Sequence, residues 1–317
     1  MSIACARMTA AVAILFAAML SNAGANHDTP TQPSIIRFPA GAAFEVPQGW
    51  SWSKLETMNG NSVELSYDAT APKDKPENNP NRVTVNLVDT PSEGSWTRID
   101  INRSQVLPNG VAVQWKSGVR WNIHSSFLGW ATAGSKTIRV LTLDRLKAQF
   151  NTDVLQAAFL KIAESLREVP STNALFHPYG RFAVNRDFTN WRAKSIENFY
   201  ISFRCAICGN ADVNLAIFPT DVINHFPSLD AAFTSNTNDV VNNGIKLGQA
   251  SRAELGTGEI RWTEQPGSTW PFSGVVQRDG RMFFMELTGK IPNSVSMDTM
   301  RADYLDIART VRPWDGR

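Results

Sequence analysis

The chain carries little with which to do covalent chemistry. Of its three cysteines, Cys5 lies in an N-terminal apolar stretch, which leaves Cys205 and Cys208. Its four histidines, His27, His124, His177 and His225, fall at spacings that fit neither a metal centre nor a catalytic triad. No Gly-x-Ser-x-Gly run occurs, so the elbow that exposes a serine nucleophile is excluded. Clusters of one charge sign are missing too, because 31 basic residues are scattered against 29 acidic ones. Nucleic acid and anionic lipid both draw affinity from clustered Lys and Arg, so neither is an expected partner. No cofactor or metal is expected, and no run reaches the roughly 20 apolar residues that span a bilayer.

What is present begins with an export signal. Arg7 precedes the apolar run Met8 to Leu20, which ends in Ser21-Asn22-Ala23-Gly24-Ala25. Small residues at Ala23 and Ala25 suit a signal peptidase, so residues 1–25 read as a signal peptide cut before Asn26. The expected location is the periplasm or the exterior, with no membrane span after cleavage, and no cysteine follows the run to carry a lipid. With 43% apolar and 19% charged residues the rest is an ordinary globular chain. At 317 residues it is long for one core and comfortable for two.

The two cores read as one unit used twice. Leu155, Phe159, Ile162 and Leu166 line one helix face, and Met300, Tyr304, Ile307 and Val311 do the same 145 residues later. Thr152 and Ser296 are candidate N-caps, and Pro170 and Pro313 mark where each helix must be over. The offset of 145 also aligns the strand-like runs Lys136–Leu143 and Arg281–Thr288, and Gly129 with Gly274. Earlier, Phe44-Glu-Val46 matches Phe182-Ala-Val184, and Val63-Glu-Leu65 matches Ile201-Ser-Phe203, both at 138. Val85-Asn86-Leu87 matches Val213-Asn214-Leu215 at 128, leaving ten surplus residues in the polar, Pro-rich segment from Asp68 to Asn81. The linker falls near Glu168 to Pro178. Each half is therefore expected to be an antiparallel sheet with helices against it, an α+β fold, with a cleft between the halves.

The start Phe44-Glu-Val-Pro47-Gln-Gly-Trp50, followed by a hairpin, antiparallel strands and a closing amphipathic helix, resembles the PsbP-like family. The resemblance spans residues 35–169 and 176–314, with Asn185-Arg186-Asp187 where the first half has Pro-Gly-Trp. It implies two similar α/β/α sandwich domains, in proteins that mostly bind other proteins, and it supplies no catalytic residues. The tandem arrangement is also similar to periplasmic immunity proteins that neutralise type VI secretion effectors.

Among local motifs, Cys205-Ala206-Ile207-Cys208 leads into a strand-like run rather than a helix. It therefore reads as a structural disulfide in preference to a redox or zinc site. Glu254-Leu-Gly-Thr-Gly-Glu259 is followed by a strand, so it reads as a tight hairpin turn and not as a phosphate cradle. Arg120-Trp121 matches Arg261-Trp262, which sets His124 opposite Gln265 in the repeat and makes an imidazole dispensable there. Of the ten tryptophans, Trp52, Trp96 and Trp270 sit in loop-like settings and are the candidates for partner contact. The functional expectation is a non-enzymatic protein-binding module, an inhibitor of a secreted toxin or a partner of an envelope protein. The alternative is an envelope accessory holding a small ligand in the inter-domain cleft.

Overall fold

The computed structural model describes residues 35–56, 61–67, 82–89, 96–120, 124–143, 152–178, 180–197, 199–222 and 224–315. The expected leader with its expected cut before Asn26, His27, Trp121 and the segment 68–81 lie outside the described residues. The first half holds β1 (Ile35–Phe38), β2 (Ala42–Glu45), β3 (Trp50–Glu56), β4 (Ser62–Tyr67), β5 (Arg82–Val88), β6 (Trp96–Val106), β7 (Ala112–Arg120), β8 (His124–Ala133), β9 (Lys136–Leu143), helix α1 (Thr152–Ser165) and β10 (Arg167–Glu168). The second holds β11 (Ala174–His177), β12 (Phe182–Asn185), β13 (Trp191–Glu197), β14 (Tyr200–Cys205), β15 (Asn214–Pro219), α2 (Leu229–Asn242), β16 (Ala250–Glu254), β17 (Gly258–Glu264), β18 (Phe272–Arg278), β19 (Arg281–Thr288), α3 (Met297–Ala308) and β20 (Arg312–Pro313).

Fourteen of these strands form one antiparallel sheet in the order β16-β17-β18-β19-β15-β14-β13-β3-β4-β5-β9-β8-β7-β6. The order is a palindrome about the β13–β3 junction, so each half runs outward through the same sequence of elements. Two small sheets, β1-β2-β10 and β11-β12-β20, repeat the symmetry. At the junction Leu55 pairs with Ile196, flanked by Glu56 with Ser195 and Lys54 with Glu197. Leu55 faces Val63 on β4 as Ile196 faces Ile201 on β14, so the two are equivalent positions of the repeat. A position paired with its own repeat marks a pseudo-two-fold axis. Where the sequence suggested a cleft between the halves, the structure has this shared pair of strands.

Both inner strands carry a β-bulge at the same step, between Trp52 and Lys54 and between Ala193 and Ser195. The shared bulge makes Trp50 and Trp191 equivalent, and both are buried. The tryptophan of the first motif is thus kept in the second half, three residues beyond the place where the sequence match put it.

The ladders correct three of the sequence alignments. Ala43 pairs with Arg167 as Ala183 pairs with Arg312, an offset of 140 for β2 and β12 instead of 138. Leu65 faces Val83 as Phe203 faces Leu215, so β5 and β15 are 132 residues apart instead of 128, and the surplus between strands is six residues instead of ten. Trp115 faces Gly129 as Trp262 faces Gly274, so Trp262 answers to Trp115 instead of Trp121, and the pairing of His124 with Gln265 falls with it. Each of these three errors is an even number of residues. A strand's side chains alternate with period two, so an even slip leaves the buried pattern intact and the sequence alone does not register it.

Helices α1 and α3 occupy equivalent places. Leu155, Phe159 and Ile162 of α1, and Met300, Tyr304 and Ile307 of α3, are fully buried. The two aromatic residues lie against matching glycines. A Cβ on Gly129 would come 2.7 Å from the Phe159 ring, and one on Gly274 would come 2.7 Å from Tyr304 Oη. Ser296 caps α3 by accepting the Thr299 N–H at 3.0 Å, while α1 begins at Thr152 itself. Helix α2 lies on the opposite face of the second half, over Val275, because neighbouring residues of β18 point to opposite sides. The fold is α+β, mostly antiparallel sheet, with α1 the one helix set against the first half among the described residues. No described helix is long and apolar enough to cross a membrane.

Candidate functional site

The motifs singled out in the sequence resolve into structure. Cys205 and Cys208 form a disulfide at the end of β14, both buried, with Cα atoms 5.5 Å apart. Glu254 and Glu259 flank a tight turn closed by the Leu255 N–H donating to the Gly258 carbonyl at 2.7 Å. Glu259 is held by Arg252 and Arg261. Among the described residues no group of three metal-ligating side chains converges. His225 is exposed, and His124 opens β8.

His177 is a core residue. Its ring stacks on Phe182 at 5.1 Å, and its Nδ1 accepts the Gly180 N–H at 2.8 Å. Burial, the largest cause, pushes its pKa down to about 3, so it stays neutral. His177 pairs with Phe182 as Phe38 pairs with Ala42, so the first half has phenylalanine at the same place.

A polar cluster that the sequence reading did not single out lies between α2 and the sheet. Glu286 of β19 is buried together with Asn236 of α2 and Ser273 of β18. Asn236 Nδ2 donates to Glu286 Oε1, and Ser273 Oγ lies 3.0 Å from that same oxygen and 2.6 Å from Asn236 Oδ1. The indole Nε1 of Trp270 donates to Glu286 Oε2 at 2.5 Å. Burial outweighs these bonds and pushes the Glu286 pKa up to about 7, with the charge of Asp239 adding to the rise. The equivalent of Glu286 in the first half is Leu141, at the offset of 145 that holds for β9 and β19. The divergence of this one ladder position is the signal the sequence contained.

The other feature is the end of the sheet. Each half has spent its inner edge strand on the junction, which leaves β16 and β6 as the outer edges. β16 is five residues long and bears Arg252 and Glu254, a short charged edge of the kind that resists pairing. β6 has eleven residues and exposes Ile99 (44%) and Val106 (70%), two of the four large apolar side chains exposed among the described residues. From Asn102 to Val106 its ladder with β7 runs without a bulge. Beside it lies an open groove of about 350 Å³, lined by Ser104, Val106, Gln114, Trp130 and Thr132 among others and by no charged side chain. Trp130 is 3% exposed, and its indole N–H has no partner among the described residues.

The three tryptophans offered as contact residues part company here. Trp52 and Trp96 lie in strands β3 and β6 instead of loops, and the side chain of Trp52 is outside the described residues. Trp96, half-buried, opens the free edge strand. Trp270 does lie in a loop, but its indole is turned inward to Glu286.

No protein-family model matches the chain. No curated protein matches it either. Among solved structures it is similar to the solution structure of cyanobacterial PsbP (CyanoP) from Synechocystis sp. PCC 6803, at 12% identity, over 46% of this chain and 98% of that one, with a TM-score of 0.28. A likeness that slight supports no argument about function.

Proposed function

We propose that this is an exported, non-enzymatic protein-binding module that takes an extended segment of its partner along β6, extending the sheet by one strand. The single observation behind the reading is the asymmetry of the two outer edges. Both edges bear charged side chains, but β16 has five residues, whereas β6 has eleven, is regular over Asn102–Val106 beyond two bulges in its first half, and carries exposed Ile99 and Val106. An edge strand offers a row of backbone donors and acceptors, and alternate side chains of the added strand would lie over the uncharged groove. Export is supported by the leader and by the disulfide, which suits an oxidising compartment. We read the two halves, 35–169 and 176–314, as PsbP-like sandwiches on the strength of the opening motif and the repeated element order.

A photoreactive residue placed at Val106, and a second placed at Glu254 on the opposite edge, test this in cells. The expected result is a specific adduct from position 106 and none from 254. Equal labelling at both edges, or none at either, would overturn the reading, and an adduct between two copies of the chain would replace the partner with self-association. Where the captured protein is a secreted effector, co-expression should relieve its toxicity, and Val106→Lys should remove that protection.

A further inference from the structure

We propose that Glu286 is a proton-operated latch for helix α2, which is seated while the carboxyl holds its proton and released when the proton leaves. The proposal is independent of how β6 is used, and it rests on a count of hydrogens. Glu286 Oε1, Ser273 Oγ and Asn236 form a closed triangle of three contacts, Asn236 Nδ2 to Oε1, Ser273 Oγ to Oε1, and Ser273 Oγ to Asn236 Oδ1. Asn236 supplies one hydrogen to the triangle and Ser273 supplies one. Three contacts need three.

The third hydrogen has one place to sit. A proton on Glu286 Oε1 donates to Ser273 Oγ, Ser273 then donates to Asn236 Oδ1, and Asn236 Nδ2 returns a bond to Oε1. Each member of the ring gives once and receives once, an arrangement that chains of hydrogen bonds reinforce. When Glu286 ionises, the serine hydrogen must serve either Oε1 or Asn236 Oδ1, and the other contact becomes two oxygens facing each other without a proton. Since Asn236 belongs to α2 while Ser273 and Glu286 belong to the sheet, the strain falls on the seat of the helix.

Among the described residues no cation pairs with Glu286. Among the described residues the titratable groups that act on Glu286 or feel its charge are Asp239, also on α2, and Tyr304, which reaches from α3 below the sheet. Asp239 is itself raised by burial, and Tyr304 is raised by burial and by Glu286. Ser273 on β18, Ala216 on β15 and Trp270 in the loop before β18 bring no charge, and Arg261 on β17 is engaged with Asp230 at the start of α2 and with Glu259. Burial raises Glu286 to about 7 against the lowering effect of its hydrogen bonds, which puts the release within the range of ordinary compartments.

Two measurements on the mature chain test the latch. In carbon NMR the side-chain carboxyl of Glu286, identified by its loss in Glu286→Gln, should titrate near neutrality; a midpoint in the usual carboxylate range would overturn the proposal in the unaltered protein. Hydrogen exchange of the α2 amides, corrected for the intrinsic pH dependence, should quicken about tenfold between pH 6 and 8 and then level off. An unchanged rate, or a quickening shared by the amides of α1 and α3, would show that ionisation does not release this helix.

Discussion

Trp270 Nε1 lies 2.5 Å from Glu286 Oε2, so a half-buried loop tryptophan is, among the described residues, the one hydrogen-bond partner that reaches the buried acid from outside the triangle. A hydrogen bond from an indole favours the ionised carboxylate and lowers its pKa. Trp270→Phe keeps the ring and removes the bond, so the Glu286 midpoint should move upward from about 7. A carboxyl NMR titration of the variant checks the direction.

Two buried groups give the stability curve opposing slopes. Glu286 is raised in the folded state, from its ordinary 4.5 to about 7. Its contribution is complete below pH 4.5 and is lost as pH rises through 7, about 3 kcal/mol in all. His177 is lowered from 6.5 to about 3, so acid favours the unfolded chain from pH 6.5 downward. Between pH 4.5 and 6.5 the slopes cancel. His177→Phe, which installs the residue found at Phe38, should add about 2 kcal/mol at pH 5 and nothing at pH 8, measured by chemical denaturation. Glu286→Gln should uncover the His177 slope, so that stability rises between pH 4.5 and 6.5 where the unaltered protein is level.

Gly129→Ala would push a methyl group against Phe159, with the nearest ring carbon 2.7 Å away. The expected cost is about 1–3 kcal/mol, since a packed core resists added volume. Combining it with Phe159→Leu should cost less than the two single changes together, because the smaller side chain makes room. A double-mutant cycle in thermal or chemical denaturation measures the coupling.

The Cys205–Cys208 bridge encloses so few residues that it restrains the unfolded chain only slightly. Its removal by paired Cys→Ala changes should cost about 2 kcal/mol without loss of fold. Denaturation of the variant beside the oxidised protein tests the figure.

How much of this was legible in the sequence follows from the physics of each signal. The closing helices could be read residue by residue, because a 3.6-residue period ties Leu155 to Met300 and Phe159 to Tyr304 without ambiguity. Val63–Leu65 with Ile201–Phe203 and Lys136–Leu143 with Arg281–Thr288 were matched in register, whereas three other strand matches were right in facing and off by two, four and six residues, because alternation repeats every second residue. The Cys205–Cys208 bridge and the turn after Glu254 followed from local chemistry alone. The Glu286 triangle did not, since its members are 37 and 13 residues apart in the chain and meet only once α2 folds over the sheet. The free edge at β6 was hidden for the same reason, because which strand ends a sheet is a property of the whole topology.

The pairing of Leu55 with Ile196 has a consequence for where this molecule came from. A contact in which one position meets its own duplicate is what two separate copies of a single half would form, each lending its bare inner strand to the other. The present chain has the geometry of a homodimer whose subunits were later fused. Joined in one chain the halves need not be identical, and Glu286 where the first half has Leu141, or an eleven-residue outer strand where the second half has five residues, are differences that identical subunits could not hold.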